Sequence, residues 1–573
     1  MSLCNRFVVL FILLVVLCSS TFPQAENVPT VNPVYLFLKR MEVKGIIGRY
    51  HDAILPLSRG QISEFLVDIK EKADLLTEVE RNQLRDLYVE FQYDIDRSRE
   101  GVYNILDFSE PGIGPTANAL FSEREKCLYS YADSNASLFV DGLLTVDARR
   151  STGDALGGAN AEFAQFGGRI RGTIYGKLGY YMQGTNALFR GSRDVLLRDT
   201  QLNQSYTLAN VFNTSSFDFS EGSVRYDARI LSLQVGQERI LWGNGYGTKL
   251  ILSDNPRVFP FVRADAEYKS LKYTFVHAWL LGTRSSYKFL LPPETTSRDT
   301  LVEPLNADKY LAAHRLELSF PALFDVGFQE VLIYSNRSVD LAYLNPAILL
   351  ESAQRSRDER DNNFWAVDIQ THFLKNVEFQ GTVDFDDINF SNWGSNSWEN
   401  RYAYQLGAMA TDPLWIPNTT IAVEYTRVQP YTFSHGRSRD NSYGSDGRIL
   451  GTQIGPNADS WFLRIDHMLT HRIFASIQAQ IQRNGENVNS SSGVLLRNVG
   501  GDFLQPHRDS DSTIVEFLDG NLVRTFALQA QVSYQIVRQI FVDARYMFTR
   551  QTDSSLNNES INHDFGVALR FDY

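Results

Sequence analysis

From about residue 137 onward the chain is written in alternation. In the stretch FALQAQVSY, Phe526, Leu528, Ala530, Val532 and Tyr534 take one face of an extended strand, and Ala527, Gln529, Gln531 and Ser533 the other. This follows because successive strand side chains point to opposite faces. Val377, Phe379, Gly381, Val383 and Phe385 alternate in the same way with Glu378, Gln380, Thr382, Asp384 and Asp386. Such segments come in pairs with very short joints, near 175–178, 229–231, 269–271, 320–323, 374–377, 412–418, 469–472 and 535–539. Long polar stretches separate the pairs, near 187–216, 241–261, 282–308, 335–363, 389–400, 430–459, 484–521 and 551–561. About eighteen strands with short turns on one side and long loops on the other is the asymmetry of a transmembrane barrel. A soluble sandwich has no such regular alternation of loop lengths. The fold expected is therefore an all-β transmembrane barrel of antiparallel strands.

A barrel in lipid also decides which face is which. An Arg or Lys on the lipid face at mid-bilayer costs about 2–4 kcal/mol, so the polar set must line the lumen. This assigns Arg225, Asp227, Arg229, Arg263, Asp265, Arg315, Glu317, Asp368, Asp384, Asp386, Arg464 and Asp466 to an interior charge network. Arginines crossing carboxylates would fill the barrel with ion pairs. Composition agrees: mean hydropathy is −0.24, and no stretch beyond the amino-terminus is apolar for long enough to make a helical span. A net charge of −12 argues against nucleic acid or an anionic lipid surface as partner.

Residues 1–25 have Arg6 ahead of an apolar run and a Pro-Gln-Ala end, the pattern of a secretory signal cut near Ala25. Once Cys4 and Cys18 leave with it, only Cys127 remains, so no intrachain disulfide or cysteine metal site is expected. Between 31 and 94 the period becomes helical. Two capping boxes open helices, Ser58 with Gln61 and Thr77 with Glu80. The organisation expected is a signal at 1–25, a periplasmic helical module and Gly/Pro-containing connector at 26–135, and an outer-membrane barrel at 136–573.

No nucleophile elbow, zinc-protease helix or complete phosphate loop is present, and no enzyme activity, cofactor or metal is expected. GTIYGK sits at a strand joint and reads as a hairpin turn. The three alternate glycines between Trp242 and Gly247 read as a loop at the barrel rim. Sugar recognition needs flat aromatic faces together with carboxylates and amides for hydroxyls. The long loops supply candidates: Trp393 and Trp398 in one, Tyr431 and Asp440 in another, Arg357, Asp361 and Asn362 in a third. Trp393 and Trp398 also suit the aromatic girdle at a lipid interface.

Several stretches resemble one family, the capsule-assembly outer-membrane proteins of the Wzi type. They are VYLFLKRMEVKGII with LPLSR, then ILWGNGYGTKLILSDNP, then HRLELSF, GFQEVLIYSNRSVDLAYLNP, DNNFWAVDIQ and VDFDD. The resemblance implies an eighteen-stranded barrel with a periplasmic helical part, a largely occluded lumen, and a lectin role holding exported polysaccharide at the cell surface. The opening helices also look like one surface-layer-homology repeat. The closing residues Phe565, Val567, Leu569, Phe571 and Tyr573 resemble the terminal strand that barrel-insertion machinery recognises. The partners expected are surface polysaccharide or capsule, outer-membrane lipid and that machinery, with a monomer favoured. The alternative function is a porin-like diffusion channel for small solutes, which rests on strand number.

Overall fold

A computed structural model describes residues 24–48, 50–106, 118–204, 216–228, 230–282, 308–387, 394–436, 439–555 and 558–573. Most of the expected signal, the core of the connector, Arg229 and Trp393 lie outside these residues.

Eighteen antiparallel strands close into one barrel. They are β1 (Ser137–Gly153), β2 (Ala159–Ile174), β3 (Leu178–Gly191), β4 (Ser216–Asp227), β5 (Leu231–Gln237), β6 (Pro260–Tyr268), β7 (Leu271–Leu281), β8 (Asp308–Phe320) and β9 (Phe324–Ser335). The second half comprises β10 (Asn362–Thr371), β11 (Val377–Asp387), β12 (Arg401–Thr411), β13 (Thr419–Val428), β14 (Ala458–Thr470), β15 (Ile473–Glu486), β16 (Asn521–Val537), β17 (Ile540–Asp553) and β18 (Asn558–Asp572). The seam is β18 on β1, running from Asn562 opposite Gly153 to Asp572 opposite Leu143. Below it the short strand Tyr129–Ala132 takes over the edge of β1 at Ser137–Val140. The joints reverse within a few residues by placing Tyr175, Gly176, Lys269, Asn376, Asn418 and Gln539 at positive φ.

Alternation sorts by face as lipid requires. Phe166, Met182, Phe379, Leu406, Ile477, Phe565 and Val567 are exposed on the outer wall, while Asp141, Arg171, Arg263, Arg315, Asp368, Gln405 and Glu424 are buried inside.

Helices α1 (Val34–Val43), α2 (Arg59–Glu71), α3 (Glu78–Glu90) and α4 (Gln92–Asp96) sit at the short-turn mouth. Both capping boxes form, and each such cap is worth about 1 kcal/mol. The helices share an apolar core of Phe37, Leu38, Met41, Ile62, Leu66, Leu84 and Phe91. Polar bonds hold this core to the barrel. Arg40 donates to Thr419 O (2.7 Å), Lys44 pairs with Asp412 (3.2 Å) and Thr77 Oγ1 donates to Asn418 (2.6 Å). Glu26, ahead of α1, bridges Arg171 of β2 (2.9 Å) and Arg59 of α2 (3.2 Å).

The glycine-rich stretch after Trp242 is not at the rim, which corrects the sequence expectation. Residues 238–253 descend into the lumen, and Leu241–Trp242 pairs with Ile54–Leu55 beside the helices. Asn244 donates to Asp368 (2.8 Å), Gly247 N to Glu424 (3.2 Å) and the Tyr246 hydroxyl to Glu378 (2.9 Å). The glycines are what such a packed backbone requires. A Cβ on Gly245 would lie 2.0 Å from Thr248 O, and one on Gly247 would lie 2.7 Å from the Phe462 ring.

One long loop folds outward instead. Tyr310, Ala312, Leu332 and Tyr334 point away from the lumen, yet they are buried beneath Tyr343, Leu350 and Ala353 of the segment between β9 and β10. Glu330, also outward-facing and fully buried, accepts the first backbone N–H groups of the helix Leu350–Ser356 (2.8 and 2.6 Å) and pairs with His314 (2.9 Å).

Candidate functional site

The lumen is the first candidate surface, and it is mostly consumed. Arg263 pairs with Asp265 (2.9 Å), Arg315 with Glu317 (2.8 Å) and Asp368, Arg464 with Asp466 (3.1 Å), and Arg225 more loosely with Asp227 (3.5 Å). Asp386 accepts Phe433 N–H (2.7 Å), with Asp384 buried beside it. Several of these groups also bind the fillings: Arg263 donates to Pro56 O (3.2 Å) and Arg464 to Tyr246 O (3.4 Å).

On the side of β14–β18 and β1–β4 the filling leaves a cavity of about 900 Å³, whose mixed apolar and charged lining includes Asp147, Arg149, Arg169, Arg545 and Asp572. Towards the long loops, a short inward turn with Val195, Leu196 and Leu202 packs on Phe163 and Phe217. Arg149 to Asp199 (3.0 Å) and Arg198 to Asp564 (2.9 Å) pin that turn across the cavity.

At the long-loop end the candidate residues fall into separate places. Trp398, partly buried, stacks on His507 with ring centroids 4.0 Å apart and 10° between planes. Tyr431 meets both edge-on from below (6.1 and 5.2 Å). Tyr431 is fully buried and donates to Asn498 O (3.0 Å), so it is a pedestal for the stack. The loop carrying Trp398 is zipped to residues 513–515 by Trp398 N to Thr513 O (3.1 Å) and Val515 N to Asn396 O (2.8 Å). In the loop that carries His507, the half-exposed Arg497 and Arg508 each hold one carboxylate, Asp519 and Asp511 respectively, whereas Arg483 pairs with Asp459 on the outer face of β14 and β15.

Arg357 and Asp361 belong to the outward-folded loop, away from Trp398. Asp361 is buried under two bonds from Arg337 (2.8 and 2.6 Å) and one from Tyr343 (2.7 Å), while the more exposed Arg357 pairs with Asp340. Asn362 is buried and donates to Asn441 O (2.9 Å), which places it beside Asp440. The structure thus joins Trp398 to Tyr431, and Asn362 to the turn of Asp440, but does not unite the two sets. His507 and Arg508 escaped the sequence reading. The signal available was a His-Arg-Asp run in the longest polar loop of the second half.

An apolar outer wall, a charged interior and inward-folded fillings define an outer-membrane β-barrel protein built around a plugged lumen. No helix among the described residues is long and apolar enough to cross a membrane. The chain belongs to the capsule assembly protein Wzi family, whose model matches residues 149–560. Its fold is similar to that of Wzi from Escherichia coli, an outer-membrane protein involved in group 1 capsule assembly and a carbohydrate-binding β-barrel. Identity is 12%, the match covers 95% of this chain and 99% of that one, and the TM-score is 0.53. OprD from Pseudomonas aeruginosa aligns over 76% of this chain and 95% of its own at 10% identity, TM-score 0.40. A BenF-like porin from Pseudomonas fluorescens aligns over 76% and 99% at 10% identity, TM-score 0.42. No curated protein matches the sequence.

Proposed function

We propose that this protein is a non-enzymatic, lectin-like barrel of the outer membrane that binds surface polysaccharide at its long-loop end during capsule or surface-polysaccharide assembly. The observation that carries this reading is the Trp398–His507 stack on its Tyr431 pedestal, set among half-exposed arginines. An aromatic plane suits the apolar face of a pyranose ring, and guanidinium groups suit carboxylates of an acidic polymer. Family membership points the same way. The helical part then faces the periplasm, after signal cleavage near Ala25. The Lys44-Gly45-Ile46-Ile47 and Leu57-Ser58-Arg59 motifs serve as plug. Ile46, Ile47 and Leu57 are in its core, and Arg59 binds Asp94 (2.7 Å). The protein works as a monomer, delivered to the membrane through recognition of Phe565–Tyr573.

The test is binding of purified, detergent-folded protein to an array of acidic and neutral bacterial polysaccharides, with Trp398→Ala beside it. Trp398→Ala is expected to weaken binding by tenfold or more, about 1.4 kcal/mol, without changing heat-modifiable migration. Equal binding by both proteins, or none by either, defeats the reading.

A further inference from the structure

The junction between the helical plug and the barrel wall gathers side chains that glycan binding does not use. His51, in the bend after α1, has a backbone φ of 52°. Its ring lies against β8 and β9, where Glu317 and Asp325 face inward from adjacent strands. One nitrogen of His51 and one carboxylate oxygen from each acid lie within 4.8 Å of one another. His51 is only 5% exposed and Asp325 8%. His51 Nδ1 contacts Glu317 Oε1, while Nε2 has no hydrogen-bond partner and stands 3.9 Å from Glu267. Asp325 Oδ1 likewise has no hydrogen-bond partner, although Oδ2 is bonded to His372 Nε2 at 3.0 Å.

We propose that His51, Glu317 and Asp325 bind one divalent cation of the zinc class, which ties the plug to the barrel wall. An imidazole nitrogen with two carboxylate oxygens suits Zn²⁺, whereas Ca²⁺ and Mg²⁺ are held by oxygen alone. Ligands about 2.1 Å from a tetrahedral ion stand about 3.4 Å apart, so no pair of donors has to close by more than about 1.4 Å, while His51 Nδ1 and Glu317 Oε1, already in contact, have to part to admit the ion. The outer partners such a site requires are in place: His372 orients Asp325, and Arg315 orients Glu317 from 2.8 Å. A neighbouring trio, Glu42, His372 and Glu378, is equally close-set. There the Lys39 ammonium already lies 3.0 Å from Glu42 and 2.8 Å from Glu378, so a cation fills that space. At the proposed site the Arg315 guanidinium takes Glu317 Oε2 and leaves Oε1 beside His51, and among the described residues no ammonium or guanidinium lies within salt-bridge distance of Asp325.

The experiment uses the full chain folded in detergent, stripped with chelator and dialysed against micromolar ZnCl₂, with metal content and melting temperature read together. The expected result is about one zinc per chain and a raised melting temperature. Both are lost in His51→Ala and in Asp325→Asn and kept in His563→Ala, a histidine of β18. Asp325→Asn changes no volume, so its heat-modifiable migration reports whether the barrel still folds. Less than about a tenth of a zinc per wild-type chain overturns the proposal. So does uptake that survives both substitutions, or uptake lost in Glu378→Gln but kept in His51→Ala.

Discussion

At the residue scale, burial decides what a charge can do. Lys39 is the common partner of Glu42 (3.0 Å), Asp52 (3.0 Å) and Glu378 (2.8 Å), and one ammonium does not satisfy three carboxylates. Burial, with Asp52 and Glu378 alongside and Lys39 opposing, pushes the Glu42 carboxyl of α1 up to about 8. A carboxyl raised above its unfolded value contributes stability that is complete below that value and lost as pH rises through the folded one. Wild type is therefore expected to lose stability between pH 5 and 9 on this account, while Glu42→Gln does not. Melting curves should coincide near pH 5 and favour Glu42→Gln at pH 9, by on the order of 2 kcal/mol. Residue roles were only partly legible beforehand. Trp398 stood out as an aromatic in a polar loop, but Asp361, from an equally polar loop, is used by Arg337 and Tyr343 within its own fold. Loop composition names chemistry, whereas availability depends on partners that composition does not show.

At the element scale, the long connections divide into those that enter the barrel and those that cover it. Gly247 lies against the Phe462 ring of β14, where an added Cβ would be 2.7 Å away. Gly247→Val is expected to cost about 1–3 kcal/mol by overpacking and to loosen residues 238–253, seen as faster amide exchange there. On the outer wall, Glu330→Ala removes the acceptor of Leu350 N and Glu351 N and leaves His314 without its acid. The cost is about 1–3 kcal/mol, borne by the cover between β9 and β10, and limited proteolysis should cut that loop several-fold faster with the barrel intact. Helix starts were readable because a capping box is local in sequence. The course of residues 238–253 was not, because Asp368, Glu378 and Glu424 lie more than a hundred positions away.

At the scale of the whole molecule, the helices, the descending segment and the inward turn at Val195–Leu202 occupy the space that a diffusion channel needs open. Planar-bilayer recordings of the intact protein should show no large steady conductance. Deleting residues 26–104, which removes the plug while leaving β1–β18, should raise conductance several-fold; porin-sized steps from the intact protein would contradict a plugged lumen. The existence of the barrel, its strand count near eighteen and the facing of its walls were determined by sequence alone, because period-two alternation against lipid admits one sorting of polar and apolar side chains. Which loops fill the lumen, which one shields the outer wall, and which aromatics come together at the rim were decided only by tertiary structure. Those contacts join segments far apart in the chain, and their residue types suit water, lumen or partner equally well until the fold brings one of them near.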